Sequence, residues 1–314
     1  MGIRGLNKLL KINCKKKSIH QINLNSLSNK IIVVDTSIYL YRFKGDEMLI
    51  EGFYLMCSLF HINKIYPIFC FDGKPGKEKE DEIEKRKIEK NKAKEEFKKL
   101  EKEKEKENNE EKIEKIEEKM DVLRKKFIYI KNNDIKVVKQ LLDTFGMTYI
   151  NSNGEADITC ATLMKNDNIY ACLSEDMDMF VYGCKRVLRY LSLINSTVIE
   201  YNLEKILKQL DMNFYDFQTM CILSGTDYNK FGKPIFAYYN KFKKTKKLID
   251  YNSDNIYIKD KIENDIKDEI EKVRTLFSKE DNIKIDIDKV KKNEINNVKL
   301  QEILELDNFI FPEK

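Results

Sequence analysis

The chain has 314 residues and is 42% apolar, so it is long enough for one large domain or two ordinary ones and can bury a substantial core. Its formal net charge is a modest +5, no run of 18 consecutive apolar residues predicts a membrane span, and the N-terminus lacks the hydrophobic region of a secretory signal. The seven cysteines are scattered without a C-x-x-C pair, which favours reduced thiols in an intracellular protein, and two histidines outside any ligand spacing do not predict a zinc site.

Buried strands are predicted at three continuous apolar runs, residues 31–34, 65–71 and 169–173. A further pair of strands is predicted on either side of Asn195 and Ser196. Because helical patterns separate the first three strands, the sequence predicts an α/β domain with a mostly parallel central sheet flanked by helices.

Residues 77–126 differ from the rest, because they contain no Gly or Pro and carry 19 basic and 18 acidic side chains. An amphipathic stripe with spacings of three and four runs along the second half, at Ile113, Ile116, Met120, Leu123 and Phe127. A break at residues 106–111 then predicts a helical hairpin whose first half has almost no apolar surface to pack. From the residues alone, an exposed spacer is the favoured interpretation.

Helices are predicted after residue 203, whereas residues 250–314 show only weak periodicity. Between residues 230 and 247 there are seven lysines and no acid, interleaved with aromatic residues. Such a segment suits a polyanion, but a solvated helix face with its aromatics in the core explains it equally well. The lysines taken as candidate DNA contacts are Lys230, Lys233, Lys241, Lys243 and Lys244.

Acidic residues follow the predicted strands at the point where each apolar core ends. In an α/β sheet, ligands bind beyond the carboxyl ends of the strands, so these acids are expected to gather at one edge. Carboxylates without nearby His or Cys suit Mg²⁺ or Mn²⁺, and two such ions form the site of many phosphodiester cleavages. Any single acid could instead be a helix N-cap. The seven candidates for the cluster are Asp35, Asp72, Glu155, Asp157, Asp176, Asp178 and Asp227.

Six segments of this sequence, in order, resemble the motifs of one family. They are "MGIRGLNKLL" at the N-terminus, "VVDTSIYLYRF", "FCFDGKP", "NGEADITCA", "LSEDMDMFVYG" and "CILSGTDY". The resemblance is to the structure-specific 5′-nucleases of the flap endonuclease and XPG-like superfamily, and it extends from the N-terminus to about residue 228. It implies that the seven acids bind two Mg²⁺ or Mn²⁺ ions.

The resemblance also implies roles for residues outside the acidic set. Tyr41 stands where the family has a tyrosine that contacts the unpaired nucleotide, and Lys79 and Arg86 stand at the spacing of the lysine and arginine that polarise the scissile phosphate. Gly2, in the N-terminal motif, is expected at the DNA. The family inserts a helical arch after its second acidic motif, so residues 77–126 are expected to be that arch.

Two departures from the family pattern change what is expected. Asp157 replaces the usual glutamate and is one methylene shorter. The glycine-rich turn that holds a potassium ion in the family is degenerate here, with only Gly232 and Pro234 retained, so a potassium site is not expected. Gln301 and Leu304 lack the paired aromatics of a sliding-clamp motif. The degenerate turn and the Lys/Asn/Ile bias resemble homologues from large DNA viruses.

The expected protein is a divalent-metal-dependent 5′-nuclease, endo- or exonucleolytic, acting on flapped, branched or nicked DNA in replication, recombination or repair. A nuclease core is expected over residues 1–228, including the 77–126 arch, followed by a helical DNA-binding region over 229–314. The chain is expected to be an intracellular monomer, in the nucleus or, if viral, in the cytoplasm. A non-catalytic binder of DNA junctions and a 5′-exoribonuclease remain as alternatives.

Overall fold

The computed structural model describes residues 2–74, 76, 80–107, 109–229, 233–248, 260–291 and 294–306. These residues form a central sheet of seven strands, and the predicted α/β class is confirmed. The strands are β1 (Ile19–Asn23), β2 (Ile31–Asp35), β3 (Tyr66–Phe71), β4 (Thr148–Asn151), β5 (Ile169–Leu173), β6 (Arg186–Ser192) and β7 (Thr197–Asn202).

The strand order is β1-β7-β6-β5-β2-β3-β4. All neighbours from β6 to β4 are parallel, whereas β7 is antiparallel to both β6 and β1. The chain leaves β2 towards β3 and β4 on one side and returns to β5 on the other. This reversal opens a crevice at the carboxyl ends of β2 and β5, the usual position of a ligand site in such sheets.

Helices cover both faces of the sheet. In the described ranges they are α1 (Leu6–Asn13), α2 (Thr36–Gly45), α3 (Leu49–Ile62), α4 (Glu80–Lys104), α5 (Glu110–Lys126), α6 (Asn132–Thr144), α7 (Ala156–Leu163), α8 (Leu203–Leu210), α9 (Phe214–Leu223), α10 (Ile235–Thr245), α11 (Asp260–Phe277), α12 (Ile287–Val290) and α13 (Asn297–Leu306). None of the described helices is long and apolar enough to cross a membrane.

Strand β2 shows why its sequence is a continuous apolar run. Ile31 and Val33 belong to the core under α1, α7, α9 and α11, while Ile32 and Val34 belong to the core under α2, α3, α6 and α13. Successive side chains of a strand point to opposite faces, and both faces of this strand are covered, so the four positions before Asp35 are all apolar.

The predicted helical hairpin is present as α4, which ends at Lys104, and α5, which begins at Glu110. Ile116, Met120 and Leu123 of the predicted stripe are buried, and the Asn109 side chain caps α5 by accepting from the Lys112 N–H. The first helix packs through a few side chains: Ala93 is buried, and Phe97 packs edge-to-face on Phe127 at 5.4 Å between ring centroids.

The aromatic residues of the basic C-terminal segment pack inwards. Ile235, Tyr239 and Phe242 of α10 are buried in the core that includes α1 and α9, and Lys243 and Lys244 are exposed on the same helix. The core therefore uses the aromatics and leaves the lysines at the surface. Beyond α10, helices α11 and α13 form where the sequence showed only weak periodicity, and they pack against α9 and α6.

Candidate active site

Asp35 is the last residue of β2 and is buried at the sheet edge. Its Oδ2 accepts a hydrogen bond of 2.9 Å from Ser174 Oγ, and the same Ser174 Oγ accepts one of 3.0 Å from the Asp176 N–H. Ser174 follows β5, which is the parallel neighbour of β2. Strand pairing and one serine thus bring Asp35 and Asp176 together.

Asp72 follows β3 and accepts hydrogen bonds from residues that follow the two neighbouring strands, β2 and β4. Its Oδ2 accepts from Ser37 Oγ at 2.5 Å, and its Oδ1 accepts from the Ala156 N–H at 2.8 Å. The next residue, Gly73, donates its N–H to Gly154 O at 2.6 Å, and a Cβ there would lie 2.2 Å from Ser152 O. A glycine is therefore required for the loop after β3 to contact the loop after β4.

Glu155 and Asp157 lie at the start of α7, beyond β4. The Tyr228 hydroxyl donates to Glu155 Oε2 at 3.3 Å, and the hydroxyls of Tyr182 and Tyr228 are 2.7 Å apart. Burial, assisted by the charges of Asp157 and Asp178, raises the pKa of Tyr182 far above its usual value. Tyr182 therefore stays protonated, and the Tyr228 hydroxyl beside it supplies a hydrogen-bond donor to the acidic site.

Asp176 and Asp178 begin the 3-10 turn after β5, and both are buried. Asp176 Oδ1 accepts the Asp178 N–H at 2.9 Å. Asp176 is therefore the N-cap of this turn, as the N-cap alternative predicted for single acids, in addition to any other role. Gly2 packs on the pair with a left-handed φ of 72°, and a Cβ at Gly2 would lie 2.3 Å from Asp176 Oδ1 and 2.4 Å from Asp178 Oδ1. Gly2 is therefore in direct contact with two acids of the cluster.

The crowding of carboxylates has an electrostatic consequence at Asp35. Burial, and then the charge of Asp72, raise the pKa of Asp35 to about 7; Asp176 adds to the effect and the Ser174 hydrogen bond opposes it. Burial and like charges both disfavour the ionised form of a carboxyl. The site would hold its full negative charge readily only with a cation present.

The donor chemistry fits a hard divalent cation, because the side chains at this edge offer carboxylate and hydroxyl oxygens. Among the residues that the structure describes, no group of three or more His, Cys, Asp or Glu side chains already has the arrangement of a metal site. The acids are instead held by Ser37, Ser174, Tyr228 and backbone N–H groups. Binding of a cation would thus require adjustment of these side chains.

The α4–α5 hairpin, which was expected to be the arch, reaches the acidic cluster through Arg86 on α4. Its Nη2 lies 3.1 Å from Asp227 Oδ2, in the loop after α9. The family resemblance implied a role for Arg86, Asp227 was one of the seven candidate acids, and the structure brings the two together. Lys79 and Lys230, two other predicted site residues, lie outside the described residues, as does Gly232 of the degenerate turn.

Tyr41 lies on α2 with 45% of its surface exposed, facing the arch. Lys90 Nζ of α4 lies 5.0 Å from the centroid of the Tyr41 ring and 4.9 Å from that of the exposed Tyr129 ring. Cations bind the faces of aromatic rings at such distances. No pattern in the sequence indicated Lys90 or Tyr129, although Lys90 is one helical turn beyond Arg86.

Glu175 stands inside the acidic run but has a structural role. It forms an ion pair with the buried Arg189 at 3.5 Å and accepts the Tyr190 N–H at 2.5 Å. No pattern in the sequence indicated Ser174, Tyr182 or Tyr228 as partners of the acids. The other predicted DNA contacts in the described chain, Lys233, Lys241, Lys243 and Lys244, lie on or just before α10, which packs against α1 and α9.

Known families match two parts of this chain. The XPG N-terminal domain matches residues 1–93, and the XPG I-region matches residues 146–227. Among curated relatives, flap endonuclease 1 of Methanococcus aeolicus is 30% identical over 274 residues, covering 82% of this chain and 77% of that protein. Flap endonuclease 1-B of Oryza sativa subsp. indica is 28% identical over 247 residues, covering 73% of this chain. The chain spans only 57% of the length of this rice protein.

Solved structures share the fold at low sequence identity. The catalytic core of Rad2 in complex with DNA substrate has a TM-score of 0.60 at 20% identity, covering 97% of this chain and 94% of that one. Human GEN1 in complex with Holliday junction DNA has a TM-score of 0.61 at 16% identity, covering 99% and 74%. The two matched XPG regions together contain the acids described above, and the Methanococcus relative is covered over more than two-thirds of its length. The chain therefore belongs to the flap endonuclease and XPG-like superfamily of 5′-nucleases.

Proposed function

We propose that this protein is a divalent-metal-dependent, structure-specific 5′-nuclease that hydrolyses phosphodiester bonds in flapped, branched or nicked DNA. The observation that carries the proposal is the meeting of acids from separate strands at one sheet edge, with Arg86 of the arch in contact with one of them. A protein that only bound DNA would gain nothing from placing carboxylates towards phosphates.

The seven acids predicted from the sequence would hold the metal ions. When bound, two divalent ions would activate water and neutralise the charge that develops on the phosphate. Arg86 lies where its guanidinium can donate to a phosphate oxygen held at the acids, which stabilises negative charge in the transition state. Tyr41 presents an exposed ring between the acids and the arch, suited to stacking on an unpaired base.

The proposed substrate is DNA with a 5′ flap, nick or free end. It is supported by family membership and by the relatives, which are flap endonucleases or were solved with branched DNA. An intracellular location is proposed because all seven cysteines are free thiols. Leu304 is buried in α13, which supports the expectation that this stretch is not a clamp-binding peptide.

The test is cleavage of a labelled 5′-flap DNA and a matched RNA, each with Mg²⁺ and with EDTA. We expect cleavage of the DNA with Mg²⁺ only, and loss of cleavage with retained DNA binding in Asp35→Asn and Asp176→Asn. Asp268→Asn, an exposed acid on α11, is the matched control and should cleave normally. Binding without cleavage would identify a junction binder, and preference for the RNA would identify an exoribonuclease.

A further inference from the structure

The segment that follows α11 contacts the part of the chain that carries Glu155 and Asp157. It lies outside both XPG-matched regions, which cover residues 1–93 and 146–227. The Asp281 carboxylate accepts from Asn153 Nδ2 at 2.8 Å, from Thr159 Oγ1 at 2.6 Å and from the Asn153 N–H at 3.4 Å. One side chain thus joins the loop before α7 to the first turn of that helix.

The two donors of this contact lie on either side of Glu155 and Asp157 in the sequence. Asn153 is two residues before Glu155, and Thr159 is two residues after Asp157. The Asp281 N–H also donates to Thr162 Oγ1 at 2.9 Å, one turn further along α7. Asp281 therefore fixes the segment that contains both acids at its two ends.

Glu155 is supported from a second direction by the end of α11. Phe277 is buried and packs edge-to-face on Tyr182 at 4.8 Å and on Tyr228 at 5.1 Å between ring centroids. Tyr228 is the residue that donates to Glu155 Oε2. Phe277 and Asp281, four positions apart in the chain, thus both support Glu155.

Asp281 is suited to this task because it is ionised at neutral pH. Burial opposes ionisation, but hydrogen bonds from Thr159 and Asn153 outweigh it and lower the pKa of the carboxyl. Hydrogen bonds to an ionised acceptor are shorter and stronger than neutral ones, so the carboxylate holds both donors firmly.

We propose that Asp281 is a positioning residue for the metal site. By holding Asn153 and Thr159, it keeps Glu155 and Asp157 directed towards the other acids. Phe277 has a second role, because it supports the Tyr182–Tyr228 pair behind Glu155. This inference rests on the proposed metal-dependent function. It assigns a role in metal binding to the C-terminal part of the chain, which sequence analysis connected only with DNA.

The experiment compares Asp281→Ala with Glu280→Gln, a neighbouring exposed acid that pairs with Lys165 at the surface. Binding of Mn²⁺ is measured directly by calorimetry, and cleavage of flap DNA is measured across a range of Mg²⁺ concentrations. Residues that orient metal ligands typically change metal affinity by about 10–100-fold. We expect a loss of that size in Mn²⁺ affinity for Asp281→Ala, a cleavage rate that recovers at high Mg²⁺, and no change for Glu280→Gln.

A second variant keeps the test decisive if Asp281→Ala folds poorly. Thr159→Val removes one donor while preserving the shape of the side chain, so it should also weaken Mn²⁺ binding. The double variant Asp281→Ala/Thr159→Val should lose less Mn²⁺ affinity than the sum of the two single losses, because both substitutions remove the same contact. Unchanged Mn²⁺ affinity in folded Asp281→Ala or Thr159→Val would overturn the inference. If the wild-type protein neither binds Mn²⁺ nor cleaves, the proposed function fails and the inference fails with it.

Discussion

Asp35 is a carboxyl whose surroundings disfavour its own charge. It is enclosed at the end of β2, and burial together with Asp72 raises its pKa to about 7. Gly2 shows the same crowding in steric form, because any side chain there would meet Asp176 and Asp178. The cost of ionising Asp35 destabilises the metal-free protein locally and is consistent with a site built for a cation, whereas the glycine at position 2 lets the chain approach the acids without a clash.

A pH prediction follows from Asp35. Because its folded-state pKa lies above the unfolded value near 3.9, the folded protein binds the extra proton, and stability falls as pH rises from about 4 through about 7. Asp35→Asn removes this penalty. In EDTA we expect the variant to be more stable than wild type at pH 8, on the order of a few kcal/mol, with the difference shrinking towards pH 4.

The measurement is denaturant unfolding in EDTA between pH 4 and pH 8.5. Asp268→Asn serves as control, because its exposed carboxyl on α11 should leave the pH dependence of wild type intact. Equal stability of wild type and Asp35→Asn at every pH would show that Asp35 is not strained in the metal-free protein.

At the scale of elements, α4 and α5 form the proposed arch, which we expect to move when DNA binds. Helix α4 packs on α5 through Ala93 and Phe97, yet most of its surface is charged and exposed. Exposed helices with few buried contacts are marginally stable. The Arg86–Asp227 ion pair and the Lys90 contacts with Tyr41 and Tyr129 join α4 to the core. A DNA strand with its own phosphates would compete for these cations.

Arg86→Ala tests the arch. We expect the single-turnover cleavage rate to fall by roughly a hundredfold or more, the scale of losing one transition-state donor, with little change in DNA affinity. Lys87→Ala, an exposed neighbour that pairs with Glu84, should cleave normally. Hydrogen exchange in α4 should slow when flap DNA is added. Normal cleavage by Arg86→Ala, with exchange unaffected by DNA, would make the arch a static spacer.

Helix α10 is the second element with a predicted role at the DNA. Its lysines remain on the surface while Tyr239 and Phe242 are buried, so the helix presents positive charge at fixed positions. Replacing Lys241, Lys243 and Lys244 by Ala should flatten the log–log dependence of DNA affinity on salt by roughly 0.9 for each phosphate that is no longer neutralised. The control replaces the exposed Lys284, Lys289 and Lys299, which removes the same charge elsewhere. Equal slopes in the two triple variants would favour the solvated-face interpretation.

At the scale of the whole molecule, the proposed metal site joins segments that are far apart in sequence. Its acids come from the ends of β2, β3 and β5, from the start of α7 and from the loop after α9. A ligand that binds only the folded state stabilises it by about 2.7 kcal/mol at a hundred times its dissociation constant. Mg²⁺ should therefore stabilise the entire chain against unfolding.

The check is the thermal unfolding midpoint with and without Mg²⁺, for wild type and for the double variant Asp72→Asn/Asp176→Asn. We expect a rise in wild type and in the Asp268→Asn control, and almost none in the double variant. A rise of the same size in the double variant would mean that Mg²⁺ acts through the general charge of the protein rather than through these acids.

The sequence by itself determined five of the seven strands, the helical hairpin and the acids that follow the strand ends, but it did not indicate β1 or β4. Strands β2, β3 and β5 are continuous apolar runs because both faces are covered, and the acids follow directly after them. Such features depend on local periodicity and on the rule that parallel strands end at one edge. For this reason, Asp35 could be expected to lie beside the other acids at that edge of the sheet.

Only the tertiary structure decided which side chains hold the acids. Ser174 and Asp35 are 139 residues apart, Tyr228 and Glu155 are 73 apart, and Asp281 and Thr159 are 122 apart. It also assigned Glu175 to Arg189 although its neighbours belong to the acidic cluster. No local pattern encodes these contacts, because a hydrogen bond between distant segments depends on how the sheet, the loops and the C-terminal helices pack together.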